Sequence, residues 1–129
     1  MKKMVFMIIV FSCFYMNVFS QNRLHTWDLS AISSIQIDIQ TEDSKIDVKL
    51  YNDQEDIDKI MSFLLKVDFD AYNSNEDSGK IKGDWQFRLT FKGQRDQIYL
   101  FNDYAFIGKS IYMIDDIVVK DFKDLIGLI

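Results

Sequence analysis

The chain has 129 residues, 48% hydrophobic and 15% aromatic, with 15 basic against 20 acidic side chains and no proline. Such a length accommodates one domain rather than two. A net charge of −5 argues against nucleic acid and anionic membrane surfaces as partners, because both repel an acidic protein.

The first 21 residues, MKKMVFMIIVFSCFYMNVFSQ, have the three parts of an export signal. Lys2 and Lys3 form a positive start, Met4 to Phe19 an apolar stretch, and Val18-Phe19-Ser20 a small-residue cleavage site before Gln21. The expectation is a signal peptide over 1–20, and a single exported domain over 21–129 that is periplasmic or secreted in a bacterium. The apolar run is 16 residues, short of the roughly 20 needed to cross a bilayer, which makes a retained membrane anchor the lesser reading. Least favoured is lipidation at Cys13, since bulky Phe11 makes Val10-Phe11-Ser12-Cys13 a poor lipobox. Cleavage removes only Lys2 and Lys3 among the charges, leaving 13 basic and 20 acidic side chains, a net charge of −7. That surface serves solubility, or else it steers a basic partner. Cys13 is the only cysteine, so the 109 residues after the leader hold no disulfide and no thiol chemistry. Their stability must come from the core, to which 14 aromatic side chains contribute.

In chain order, Trp27 and Leu29 read as residues packing on the domain edge, with one helical turn capped by Asp28. His25 is the only histidine, and with no second one for a metal or a relay it reads as a surface residue. Ile35, Ile37 and Ile39 alternate with polar residues, as do Ile46, Val48 and Leu50 beyond a Thr41-Glu42-Asp43-Ser44 turn. These predict a hairpin with one dry and one wet face. Asn52 to Glu55 reads as a helix start, with Asn52 the cap and Glu55 closing a capping box. Ile57, Ile60, Met61 and Leu64 then form its apolar stripe. The acids Asp53, Glu55, Asp56 and Asp58 are explained by that helix start rather than by a catalytic site.

Asp68 to Asp84 reads as one long irregular segment, a solvated or partner-contacting loop. Asn73, Asn75, Asp77 and Asp84 brush against calcium-loop spacing. However, Ser78 stands where glycine belongs and Asp84 where a bidentate glutamate belongs, so no metal site is expected.

From Trp85 onward the pattern is a meander. Trp85, Phe87, Leu89 and Phe91 alternate with Gln86, Arg88, Thr90 and Lys92. A four-residue loop at 93–96 would pair Lys92 with Gln97 and Phe91 with Ile98. Two-residue turns at Asn102-Asp103 and Gly108-Lys109 would set Ile111 opposite Phe106 and Met113 opposite Tyr104. Val118, Phe122, Leu125, Ile126 and Ile129 make the stripe of a last helix, capped by Asp115 or Asp116. The fold class expected is α+β, an antiparallel sheet in the order ββαβββ(β)α with two helices packed on it.

This registration leaves both sheet faces rich in apolar groups. Arg88, Tyr99, Phe101, Tyr104 and Phe106 share one face and are the candidate partner-binding residues, since interfaces favour arginine and aromatic rings. The preferred structural expectation is that the last helix or the first hairpin covers them. No Ser/His/Asp set, Cys/His metal spacing, phosphate-cradling glycine loop or redox motif occurs, so no catalytic residue and no cofactor is expected. The leading functional expectation is a small exported protein-binding module, inhibitor- or immunity-like at most. The alternative is an envelope-associated binder of a glycan or apolar ligand, and a hydrolase using two of the many carboxylates comes third. No integral membrane role is expected after leader cleavage.

Overall fold

The structure is a computed structural model and describes residues 23–71 and 84–128. The expected leader, with Cys13, and most of the calcium-like spacing lie outside those residues. Among the described residues no helix is long and apolar enough to cross a membrane.

Among the described residues seven strands form one antiparallel sheet: β1 (Ser34–Gln40), β2 (Ile46–Tyr51), β3 (Asp70–Ala71), β4 (Phe87–Lys92), β5 (Ile98–Leu100), β6 (Tyr104–Ile107) and β7 (Ser110–Met113). Two α-helices among the described residues accompany them, α1 (Gln54–Leu65) and α2 (Ile117–Leu128). The spatial order is β2-β1-β4-β5-β6-β7-β3. The α+β class and the element order agree with the sequence reading, with β3 as an addition. Asp70 and Ala71 pair with Met113 and Tyr112, so the 68–84 segment is not irregular throughout. Phe69 is buried and meets Tyr112 edge-on at 5.9 Å, which anchors this strand on the far edge.

One face of the sheet is the core. Ile35 and Ile37 of β1, Phe87, Leu89 and Phe91 of β4, Ile98 and Leu100 of β5, and Ala105 and Ile107 of β6 stand side by side in the ladders. Every one of them is buried. Both helices lie on this face. Ile57, Ile60, Met61 and Leu64 of α1 are buried in the same cluster, as are Phe122 and Ile126 of α2. Phe122 meets Phe87 edge-on at 5.0 Å and Phe63 of α1 at 5.4 Å, tying sheet and both helices together.

Caps follow local chemistry. Asp53, one residue after the expected Asn52, caps α1 by accepting the Glu55 N–H at 3.2 Å. Asp115 accepts the Ile117 N–H at 3.1 Å, and this bond, ahead of a hydrogen bond from Asp116, holds its carboxyl below the ordinary range. Asp28 caps the 3-10 turn Leu29–Ala31 as expected. Leu29 is exposed while Trp27 is buried, its ring edge-on to Phe91 at 5.1 Å. A further 3-10 turn, Arg23–Thr26, puts the Arg23 guanidinium within hydrogen-bond reach of the Ile107 carbonyl, the Ser110 hydroxyl and Asp96. His25 is exposed.

Register separates what the turns dictate locally from what they do not. β5–β6 and β6–β7 pair as expected, with Tyr104 opposite Met113 and Phe106 opposite Ile111. In β4–β5 the partner of Ile98 is Leu89, not Phe91, a shift of two residues. The cause lies at Gly93, whose φ of +103° turns the chain under the Ala31 carbonyl. A Cβ there would lie 1.9 Å from that oxygen, so only glycine fits, and Phe91 and Lys92 stay paired with β1 alone. An even shift keeps every side chain on its expected face.

The first hairpin is different. Gln40 pairs with Ile46 and Ile35 with Tyr51, one residue away from a ladder that would put all six aliphatic side chains together. Ser44 adopts φ +61°, its N–H bonds the Thr41 carbonyl, and Thr41 N–H reaches the Lys45 carbonyl at 2.8 Å. This is a three-residue turn with a left-handed third residue, one residue shorter than a loop of Thr41 to Ser44, and the odd difference inverts the strand beyond it. Ile46, Val48 and Leu50 therefore point away from the core, 48%, 60% and 62% exposed. The expected dry hairpin face does not form.

Tyr51, which the inversion turns inward, is buried, and its hydroxyl makes no hydrogen bond among the described residues. Burial, then the nearby Asp56 charge, raises its pKa above the usual tyrosine value. A raised folded-state pKa supplies stability below the unfolded value near pH 10, which is lost as pH rises above it. Tyr51→Phe removes an unpaired buried hydroxyl. It is expected to leave stability unchanged or raise it by about 1 kcal/mol at neutral pH, and to move alkaline unfolding upward. Urea titrations at neutral pH and above pH 10 measure both effects.

Candidate functional site

The second sheet face carries neither helix. Across it the ladders align Val48, Asp38, Arg88, Tyr99, Phe106 and Ile111 in one row spanning six strands. The next row sets Ile46 beside Gln40 and Tyr104 beside Met113. Phe101, just past β5, joins it where its N–H bonds the Tyr104 carbonyl, and its ring lies 5.2 Å from Phe106.

The five candidate residues thus stand together. Arg88, Tyr99, Phe101, Tyr104 and Phe106 are each half-buried by their neighbours on the face. The expectation that the last helix or the first hairpin covers them does not hold for the described residues. α1 and α2 both follow the fully apolar stripe of β4, where Phe87, Leu89 and Phe91 offer more surface than Arg88 and Thr90.

At the centre sits an ion pair that spacing along the chain could not reveal. Asp38 is 2% exposed, and its Oδ2 accepts from both Nε and Nη2 of Arg88 at 2.7 Å. The Gln36 side-chain amide donates to Oδ1 at 3.1 Å. Bonding to Asp38, opposed by partial burial, raises Arg88 above its ordinary pKa, so it stays charged throughout the usable range. The guanidinium also lies 4.9 Å above the Trp85 ring, and Trp85 stands edge-on to Tyr99 at 6.1 Å. Asp38 and the β2 aliphatics are members of this face that sequence reasoning missed. Trp85, which the alternation sets with Phe87, Leu89 and Phe91, lies against Arg88 and Tyr99 because it precedes β4 and is not bound by the strand's period. Period-two spacing did place Asp38 opposite the isoleucines, but its partner lies 50 residues away.

An aspartate with both oxygens engaged and an arginine locked to it are not free to move protons. The face offers aromatic rings, aliphatic side chains and one cation held in place by Asp38. The two grooves described, of about 350 and 450 Å³, lie on the helical layer and share Phe63 and Lys66. Asp68, Asp70, Asp115 and Asp121 line the first and Glu55 and Asp58 the second, and neither reaches the open-face rings. Among the described residues no three His, Cys, Asp or Glu side chains group so as to hold a metal ion.

Compared with protein-family models, curated proteins and solved structures, the chain matches none.

Proposed function

We propose that this is a small exported protein-binding module whose contact surface is the open sheet face. The observation that supports the reading is the placement of both helices on one side, which leaves Tyr99, Phe101, Tyr104 and Phe106 on the other around a fixed Arg88. Binding is passive. The rings act as anchors, Arg88 stays in place without an entropic cost at contact, and the acidic remainder of the surface steers a basic partner. Inhibition or neutralisation of that partner by occlusion is the concrete form such a module takes. Neither groove among the described residues is lined by the open-face rings, which favours a protein over a small ligand, since the latter requires concavity to bury its surface.

Purified protein serves as bait against envelope and culture-fluid extract of its own source cell, beside two variants checked for folding. One is Tyr99→Ser with Phe106→Ser on the open face, and the other is Lys120→Ser, exposed on α2. A partner held by the native and Lys120→Ser baits and lost by the open-face variant is the expected result. Equal retention by all three, or none by any, refutes the reading.

A further inference from the structure

The two edges of the sheet are unequal. On the far side, β3 is two residues long with Asp70 on the open face. On the near side β2 runs for six residues, without proline or a bulge within the strand, and with Ile46, Val48 and Leu50 exposed. Native sheets ordinarily blunt such an edge. The ladder also fixes which backbone groups point outward. The Thr41 N–H bonds the Lys45 carbonyl, while the Gln40 N–H goes to Gln86 on the β4 side. By antiparallel alternation Asp47, Lys49 and Tyr51 exchange hydrogen bonds with β1, and Ile46, Val48 and Leu50 turn their N–H and C=O groups to the open edge.

The segment Ile46-Asp47-Val48-Lys49-Leu50 complements itself when read against its own reverse. Laid antiparallel on a second copy about Val48, it sets Val48 opposite Val48 and Ile46 opposite Leu50, all on the open face. Asp47 then falls opposite Lys49 twice, on the helical face. The outward groups of the three aliphatic residues supply six backbone hydrogen bonds. The Asp47–Lys49 pairs occupy the non-hydrogen-bonded positions, where facing side chains approach most closely. Moving the register by two residues in one direction brings Asp47 against Asp47, and in the other Lys49 against Lys49. Moving it by one sends the aliphatic side chains to the helical face of the partner. The charge pattern therefore selects one register.

We infer that β2 is a self-association edge, and that its occupant is a second copy of this chain, paired two-fold about Val48 into one fourteen-stranded sheet. The contact is isologous and closes on itself, so it yields a dimer and not a fibre. It is independent of what the aromatic face binds.

Sedimentation equilibrium at low salt tests this, with circular dichroism confirming that every variant is folded. The native protein is expected to be dimeric. Asp47→Lys and Lys49→Asp each turn two attractions into two repulsions and should each weaken dimerisation by about tenfold or more. An equimolar mixture of the two variants restores both attractive pairs and should associate as the native protein does, as should the Asp47→Lys, Lys49→Asp double variant. A native protein monomeric up to ~0.1 mM overturns the inference. So does a dimer indifferent to the charge exchanges, and one lost instead on Tyr99→Ser with Phe106→Ser would place association on the aromatic face. A monomer whose captured partner is lost on Asp47→Lys would assign the edge to a foreign strand.

Discussion

Phe122→Ala is expected to lower the unfolding free energy by about 3–5 kcal/mol, the largest loss of any single truncation considered for this protein. Phe122 is fully buried and is the side chain through which α2, α1 and β4 meet, edge-on to Phe87 and tilted against Phe63. Truncation removes its burial, forfeits two aromatic contacts and leaves a cavity bounded by a sheet that cannot collapse to fill it. A small domain without a disulfide after Cys13 has no covalent reserve against that loss. Urea unfolding followed by tryptophan fluorescence reads the change directly, because Trp27 packs on Phe91 within the same core. Phe122→Leu, which keeps most of the volume, should cost less than half as much.

Arg88→Met is expected to cost about 2–3 kcal/mol, less than the roughly 3–5 kcal/mol of a fully enclosed pair because the arginine side chain is 34% exposed. The loss arises less from the missing attraction than from the partner left behind. Asp38 is 2% exposed, and Gln36 alone would remain to bond it among the groups that bond it now. Adding Asp38→Asn to Arg88→Met removes the stranded charge while keeping an acceptor for Gln36, and should recover most of the loss. The two single variants and the double variant form a cycle whose coupling is expected to exceed about 1 kcal/mol. A cycle that closes without coupling would mean that the pair does not organise the centre of the open face.

Much of the fold was legible because its turns are local chemistry. Asn102-Asp103 and Gly108-Lys109 set the registers of β5–β6 and β6–β7, and the alternation in β4 named its buried side chains. At the first hairpin, one residue changed everything. The text Thr41 to Lys45 serves a four-residue loop or a three-residue turn with Ser44 left-handed, and the second choice turns Val48 outward and Tyr51 inward. Periodicity cannot settle this, because it shows that a strand has two kinds of face without showing which one meets the core. Likewise Arg88 and the rings could be gathered from spacing, whereas Asp38 could not, since β1 lies beside β4 through a pairing that skips β2, α1 and β3. The side chosen by the helices follows from β4 and β5 together and was undetermined by either helix alone.

The most direct test of the open face as the contact surface is site-specific photo-crosslinking in the cell that makes the protein. A photoreactive phenylalanine analogue is placed at Tyr99 or Phe106 on the open face, or at Lys120 on the helical layer. Adducts of one defined mass from positions 99 and 106, with none from 120, are the expected result. Adducts from position 120 alone, or from none of the three, would contradict it.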